Sequence, residues 1–325
     1  MSVLVYIETS EGKVKKQSAE AATYGALLAQ KMGSDSIGLV LGSIENSVCE
    51  ALGKHGLTKV VKVGEDRLNN LSAKAYAKAI ASAAGNQSSN VVVMANTTTG
   101  KAIAGRVAAR MQAGLVSGAI ELPKETGDKF VVRKGAFSGK AFADYAILTS
   151  NKVISVSPNS IPVSEDGSNC AVEETQVDFT DADFPITVVE RKMQSGDISL
   201  PEAERVVSGG RGLRGPENWG MIEELANLLN AATACSRAVA DVDWRPHHEH
   251  VGQTGLAITP NLYIAIAISG AIQHLAGVNQ SKTIVVINND PEAPFFKAAD
   301  YGVCADAFDV VPKLISEIKA LKGIA

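Results

Sequence analysis

The chain has 325 residues, 46% hydrophobic and 20% charged, which suits two globular domains and excludes a disordered chain or a small disulfide-stapled scaffold. Thirty-one Lys and Arg against 35 Asp and Glu leave a net charge of −4, so no basic field draws the chain to nucleic acid or anionic lipid. Its longest apolar run, Leu262–Ile268, is seven residues, where a membrane span needs about 20.

The opening stretch, Met1–Glu8, has no basic segment ahead of its apolar residues and reads as a first strand rather than a signal peptide. Short β-branched runs at Val3–Ile7, Ser36–Leu41, Thr58–Val63 and Asn90–Met94 alternate with helical patterns at Ser18–Met32, Ile44–Leu52 and Ser72–Ala84. Ser18 and Ser72 are expected N-caps. Such alternation predicts a parallel, doubly wound sheet with crossover helices. After a helix at Lys101–Gln112, the runs Lys129–Arg133, Phe142–Leu148 and Val153–Val156 follow without helices and predict an antiparallel or mixed extension.

Prolines 158, 162 and 185, the acidic segment Asp178–Asp183 and the charged run Glu190–Lys192 then lead to a linker expected near 195–204. Alternation resumes with strands at Arg205–Ser208, Leu262–Ile268 and Lys282–Ile287 and helices at Pro216–Asn230, Gly270–Ala276 and Val310–Leu321. The expected fold is therefore α/β with two domains, residues 1–195 and 196–325. The first is doubly wound and nucleotide-binding-like with a mixed-sheet extension, the second Rossmann-like. Cys49, Cys170, Cys235 and Cys304 are too dispersed for a zinc site or dithiol exchange and predict buried thiols in a reducing, cytoplasmic setting.

Candidate chemistry concentrates in the second domain. Val206–Gly215 reads as a strand, a glycine-rich turn and a helix, in which backbone N–H groups approach a phosphate closely. Gly210, Gly212 and Gly215 fit G-x-G-x-x-G, but the acidic residue that the dinucleotide fingerprint wants about 20 residues on is missing, so a plain structural turn stays open. Ser269–His274 offers a second anion seat, with Ser269 as cap and Gly270 for close approach. Two seats favour a dinucleotide, whereas His274 by itself is a structural histidine unless a ligand faces it. Gln253 and Thr254, between Gly252 and Gly255, can donate and accept along a heteroaromatic edge. Arg237 either serves a ligand or pairs with Asp241 at i+4. His247–His250 follows Pro246 without the i, i+4 spacing of a metal site and reads as a solvated loop, so no metal is expected. Asn288–Pro294 follows a strand end, where open sheets bind ligands, or is merely a proline-stiffened loop. Hydrolase and NTPase motifs are missing, and no catalytic residue is assigned.

Taken in order, Val206–Leu213, Ser236–Ala238, Val251–Gly255, Leu262–Gly277, Lys282–Pro294 and Ala299–Asp306 resemble the α subunit of electron-transfer flavoprotein. They are spread over about a third of the chain, and Asn96–Arg110 matches more loosely. The resemblance implies a heterodimer whose C-terminal α domain holds FAD, with AMP or a second FAD in the partner β subunit. By the same resemblance Arg211, Ser236, Arg237, Val251, Gly252, Gln253, Thr254, Ser269, Gly270, Ala271, Ile272, Gln273, His274, Asn288 and Asp306 line the cofactor. Arg237, Thr254 and His274 would tune the flavin ring, while Asn288 and Asp306 hold the adenosine end. The implied donors are acyl-CoA or related dehydrogenases and the acceptor a quinone oxidoreductase, the chain having no turnover of its own. An NADH-using, electron-bifurcating relative and a nicotinamide-binding enzyme module are the alternatives. Ala238–Asp243 and the His-rich loop depart from the family pattern.

Overall fold

A computed structural model describes residues 2–126, 129–137, 139–190 and 199–324. The chain divides into two compact units, Met1–Lys192 and Met193–Ala325. Most of the charged run Glu190–Lys192 and the first part of the expected linker lie outside the described residues.

In the first unit, β1 (Ser2–Ile7), β2 (Asp35–Leu41), β3 (Lys59–Val63), β4 (Ser89–Ala95), β5 (Gly114–Ala119), β6 (Lys129–Ala136), β7 (Ala141–Ile147), β8 (Lys152–Val156) and β9 (Ala171–Glu174) form one sheet. Their order is β7-β6-β5-β8-β4-β1-β2-β3-β9, and a short strand Lys124–Thr126 pairs with β6. The ladders from β5 to β9 are parallel, while β6 and β7 form an antiparallel hairpin. The sheet is covered on both faces. Val3, Val5 and Ile7 pack with Tyr24 and Leu28 on one side, and Leu4 and Tyr6 with Tyr76 and Ile80 on the other. Two covered faces explain why the central strands read as continuous apolar runs rather than alternating ones.

Several local expectations are corrected. Helix α1 (Lys16–Met32) starts before Ser18, whose hydroxyl instead accepts the Glu8 N–H at 2.8 Å. Ser72 is the N-cap residue of α2 (Ala73–Asn86) as expected, but its hydroxyl donates to the Asp183 carbonyl at 2.8 Å and makes no capping hydrogen bond. The Ile44–Leu52 helix is a short α turn, Asn46–Glu50, passing into a 3-10 turn, Ala51–His55. Helix α3 (Thr98–Met111) begins three residues earlier than expected because Thr97 Oγ1 accepts the Gly100 N–H at 3.0 Å. Strands β5 and β9 were not foreseen. The first is diluted by Gly114, Ser117 and Gly118, and the second is a polar edge strand, Ala-Val-Glu-Glu, that pairs only with β3.

Strand order reverses at β1 and β4, the place where an open sheet of this kind usually seats a ligand. Here the carboxylate of the buried Glu8 takes that place. Lys15 Nζ pairs with its Oε1, and the Thr97 hydroxyl donates to its Oε2 at 2.6 Å.

The second unit is a five-stranded parallel sheet of β10 (Arg205–Gly209), β11 (Ala232–Cys235), β12 (Leu262–Ile266), β13 (Thr283–Asn288) and β14 (Tyr301–Cys304), ordered β11-β10-β12-β13-β14. Helices α4 (Gly220–Leu229), α5 (Arg237–Ala240), α6 (Ile272–Val278) and α7 (Ala307–Lys322) complete it. Val207, Trp219, Leu225 and Val311 fill one face, and Val206, Tyr263, Val286 and Phe295 the other. The glycine-rich turn does not lead straight into a helix. Arg211–Leu213 and Pro216–Asn218 are 3-10 turns separated by Arg214 in the left-handed region, and α4 begins only at Gly220. Three glycines and Pro216 within the seven positions 210–216 resist an α-helix there. Ser269 is not a cap either, since the N-cap of α6 is Ala271.

Asp183 ties the end of the first unit to α2. It accepts from Lys78 Nζ at 2.8 Å and from the Thr180 N–H at 3.0 Å, and these donors hold its carboxyl well below the usual carboxylate range. Asp183→Ala should lower unfolding stability by about 1–3 kcal/mol near neutral pH. Because the folded carboxylate is the stronger acid, the difference from wild type should shrink as pH falls below about 4, which denaturant titrations at two pH values would reveal.

Candidate functional site

A cleft of about 600 Å³ lies at the carboxyl ends of β10 to β13, where the strand order of the second unit reverses. Strand β10 delivers Arg211 and Gly212, β11 delivers Ser236 and Arg237, β12 delivers Ala267 to Ala271, and β13 delivers Asn288 and Asp290. The loop from His250 to Thr254 supplies another wall, and Gln273 and His274 come from α6.

Close backbone approach builds this cleft. Gly210 donates its N–H to the Ile266 carbonyl at 2.9 Å, and a Cβ on Gly210 would overlap the Ala267 carbonyl. Ala267 itself takes a φ of +55°, its N–H bound to the Ile287 carbonyl at 2.8 Å. Gly270 has a φ of +77° and leaves the space that Phe295 fills. The Gln253 N–H reaches the Gln273 carbonyl at 2.7 Å, which clips the loop to α6.

The polar groups fall into two kinds. Arg211 and Arg237 are exposed, and Arg237 Nε donates to Asp241 Oδ2 at 3.2 Å. The i+4 pair is therefore present in the unbound protein and sits on the cleft wall, using one of the five guanidinium N–H donors. His274, by contrast, is buried. Its Nε2 is 2.8 Å from the Tyr263 hydroxyl, while its Nδ1 is buried with no hydrogen-bond partner among the described residues. Desolvation, aided by nearby His250 and opposed by the Val251 backbone, pushes the His274 pKa down to about 4. His250 is shifted the same way, chiefly by burial. Both imidazoles are thus neutral near pH 7.

Thirteen of the fifteen expected residues line the cleft, all but Ile272 and Asp306. Ile272 is 65% exposed on α6. Asp306 is committed elsewhere, its Oδ1 capping α7 through the Phe308 N–H at 3.0 Å and its Oδ2 paired with Arg214 at 2.9 Å. Asn288 is held from both ends, donating to the Ile268 carbonyl at 2.9 Å and accepting the Asp290 N–H at 3.0 Å, so the proline-stiffened loop is also a cleft wall. Gly212, Ala238, Asp241, His250, Ala267, Ile268 and Asp290 also line it. An alanine with positive φ carries no sequence signature, but the Asn-Asn-Asp-Pro stretch at a strand end pointed towards Asp290.

The His-rich segment divides. His247–Glu249 is a 3-10 turn in which buried Glu249 is clamped by Arg245 Nη2 at 2.6 Å, and His250 faces the cleft. Among the described residues no group of three or more His, Cys, Asp or Glu is placed to hold a metal ion. Guanidinium and backbone donors with an unpaired, neutral, buried imidazole suit a ligand that is anionic in one part and a polar ring in another.

Residues 199–279 match the electron transfer flavoprotein FAD-binding domain, and residues 3–182 match the electron transfer flavoprotein domain. The electron transfer flavoprotein subunit alpha of Bacillus subtilis (strain 168) is 36% identical over 98% of this chain and 98% of its own length. That of Syntrophomonas wolfei is 37% identical over 97% and 98%. Protein FixB of Clostridium saccharobutylicum is 36% identical over 98% and 96%.

Gly270→Ala should destabilise the second unit by about 2 kcal/mol or more, seen in denaturant unfolding, because the new methyl meets both a left-handed φ and the Phe295 side chain. Since His274 binds its proton more weakly folded than unfolded, wild-type stability should fall as pH drops from about 6.5 towards about 4. His274→Gln should lack that contribution, up to about 1.4 kcal/mol per pH unit between the two stability curves.

Proposed function

The chain belongs to the electron transfer flavoprotein α-subunit family and carries its FAD-binding domain, and on that premise we propose that it is the flavin-holding half of a cytoplasmic αβ carrier. It takes electrons from flavin dehydrogenases of the acyl-CoA class and passes them to a quinone oxidoreductase, with no substrate turnover of its own. The observation that carries the reading is the cleft at the strand reversal, whose buried His274 Nδ1 has no partner among the described residues.

These residues fit FAD. Gly210, Gly212 and Gly270 let the turns after β10 and β12 close against Ala267 and Phe295, and Arg211 and Ser236 line the cleft those turns build, as donors for a diphosphate. Gln253, Thr254, His274 and Arg237 are the groups for a ring with N–H and carbonyl edges, and Asn288 stands on the β13 wall for the adenosine end. FAD supplies reversible uptake of one or two electrons. The chain's own contribution is electrostatic. Arg237 places a permanent cation where negative charge develops, and His274 stays neutral, offering hydrogen bonding without charge.

The partner is a β subunit that contributes AMP in the simple carrier. Similarity to the FixB protein favours a second reading, an NADH-using bifurcating form with a second FAD in the partner. No helix among the described residues is long and apolar enough to cross a membrane, in keeping with an acceptor that is itself the membrane component.

Flavin and nucleotide content of the co-purified heterodimer tests the reading. One FAD with one AMP is the expected result, two FAD select the bifurcating form, and a complex that stays colourless after incubation with FAD overturns both. Arg237→Ala should lower the flavin reduction potential, by roughly tens of millivolts, through loss of a cation beside the reduced ring. A spectroelectrochemical titration of wild type and variant measures the shift.

A further inference from the structure

Strand β12 carries Tyr263 into the centre of the second unit, where its side chain is fully buried. Its hydroxyl meets His274 Nε2 at 2.8 Å. The two rings lie 6.1 Å apart between centroids, and fully buried Phe295 packs on both, 6.2 Å from Tyr263 and 5.6 Å from His274, the latter nearly edge-on at 73°. His274 is thereby fixed by one hydrogen bond and an aromatic contact, so its imidazole has little freedom to rotate.

A neutral imidazole has a single N–H, and the partner of one nitrogen decides where it sits. Burial keeps the phenol protonated, so its hydrogen is available to Nε2. In the reverse arrangement, with the hydrogen on Nε2, the phenol would turn its O–H to the neighbouring Ser208 hydroxyl, and Nδ1 would be left a buried bare lone pair. That nitrogen belongs to a cleft-lining residue and is the one without a partner among the described residues.

We propose that Tyr263 is a positioning residue of the cleft: its phenol donates to His274 Nε2 and so holds the imidazole as the Nδ1–H tautomer, presenting one N–H to an acceptor atom of the bound ring. The assignment of that ring to FAD rests on the function proposed above, while the tautomer is a property of the chain itself. Tyr263 touches no ligand in this scheme. It acts through His274.

The test uses the full chain with its partner subunit, ¹⁵N-labelled at histidine, first stripped of cofactor and then loaded with FAD. The His274→Gln spectrum identifies the His274 signals among the five histidines. Wild type without cofactor should show a protonated Nδ1 and a bare Nε2, with the Nδ1–H signal moving when FAD binds. Tyr263→Phe keeps the ring packing and removes the donor; it should give a mixture of both tautomers and bind FAD about tenfold more weakly, the loss of one well-placed hydrogen bond. Its visible flavin spectrum should also shift from that of wild type. A protonated Nε2 in cofactor-free wild type overturns the tautomer assignment without any variant being needed. An unaltered tautomer and spectrum in a folded Tyr263→Phe overturns the positioning role. Failure of the wild-type complex to bind FAD overturns instead the flavin reading on which the acceptor's identity rests.

Discussion

The second unit depends on the hydrogen bond from the Gly210 N–H, just past the end of β10, to the carbonyl of Ile266, the last residue of the parallel strand β12. Parallel ladders normally run out where strands diverge to their helices. Here the contact persists one residue beyond β10 because position 210 has no side chain, and Ala267 turns into the left-handed region on the other side. Without that approach the loops after β10 and β12 would splay, and the cleft would lose the wall on which Arg211, Ser269 and Gly270 stand. A few ångströms of backbone proximity, and the strain of one alanine, underlie the whole site.

Around this frame the cleft separates charge from neutrality. Its arginines are exposed and weakly restrained, with Arg237 already balanced by Asp241, so their fields are screened until a ligand and a partner surface exclude water. Its histidines are buried and neutral, oriented by Tyr263, Phe295 and backbone. Geometry comes from the buried groups and charge from the exposed ones. A redox carrier needs both, because the ring must be held still while its charge changes.

Much of this was legible in the amino-acid sequence. The central strands were legible because sheets covered on both faces demand unbroken apolar runs, as in Val3–Ile7 and in Leu262–Ile268, whose strand stops at Ile266, before Ala267 turns into the left-handed region. Glycine-bearing turns at strand ends pointed to the cleft, since close approach leaves a compositional trace, while the set of residues lining it came from the family resemblance. Helix starts were read less well. Ser18, Ser72 and Ser269 look like caps, yet the first two spend their hydroxyls on distant backbone groups, and the third precedes an N-cap at Ala271. Tertiary hydrogen bonds compete for the same side chains, and nothing local marks the winner. Strand β9 left little trace because its Ala-Val-Glu-Glu pairs on one edge only. Family resemblance placed Asp306 at the ligand, whereas the chain alone gives it to a helix start and to Arg214.

The two units meet the same topological situation in opposite ways. In the second, the reversal of strand order opens into a cleft. In the first, Glu8 stands there with its carboxylate held by Lys15 and Thr97. Such a carboxylate behaves as a tethered competitor. It is delivered by the last turn of a rigid strand rather than from solution, so it faces no dilution, and any phosphate approaching the start of α3 would have to displace a negative charge already in place. The first unit is in that sense saturated with its own side chain, and keeps the nucleotide-binding architecture as a scaffold whose seat is permanently taken.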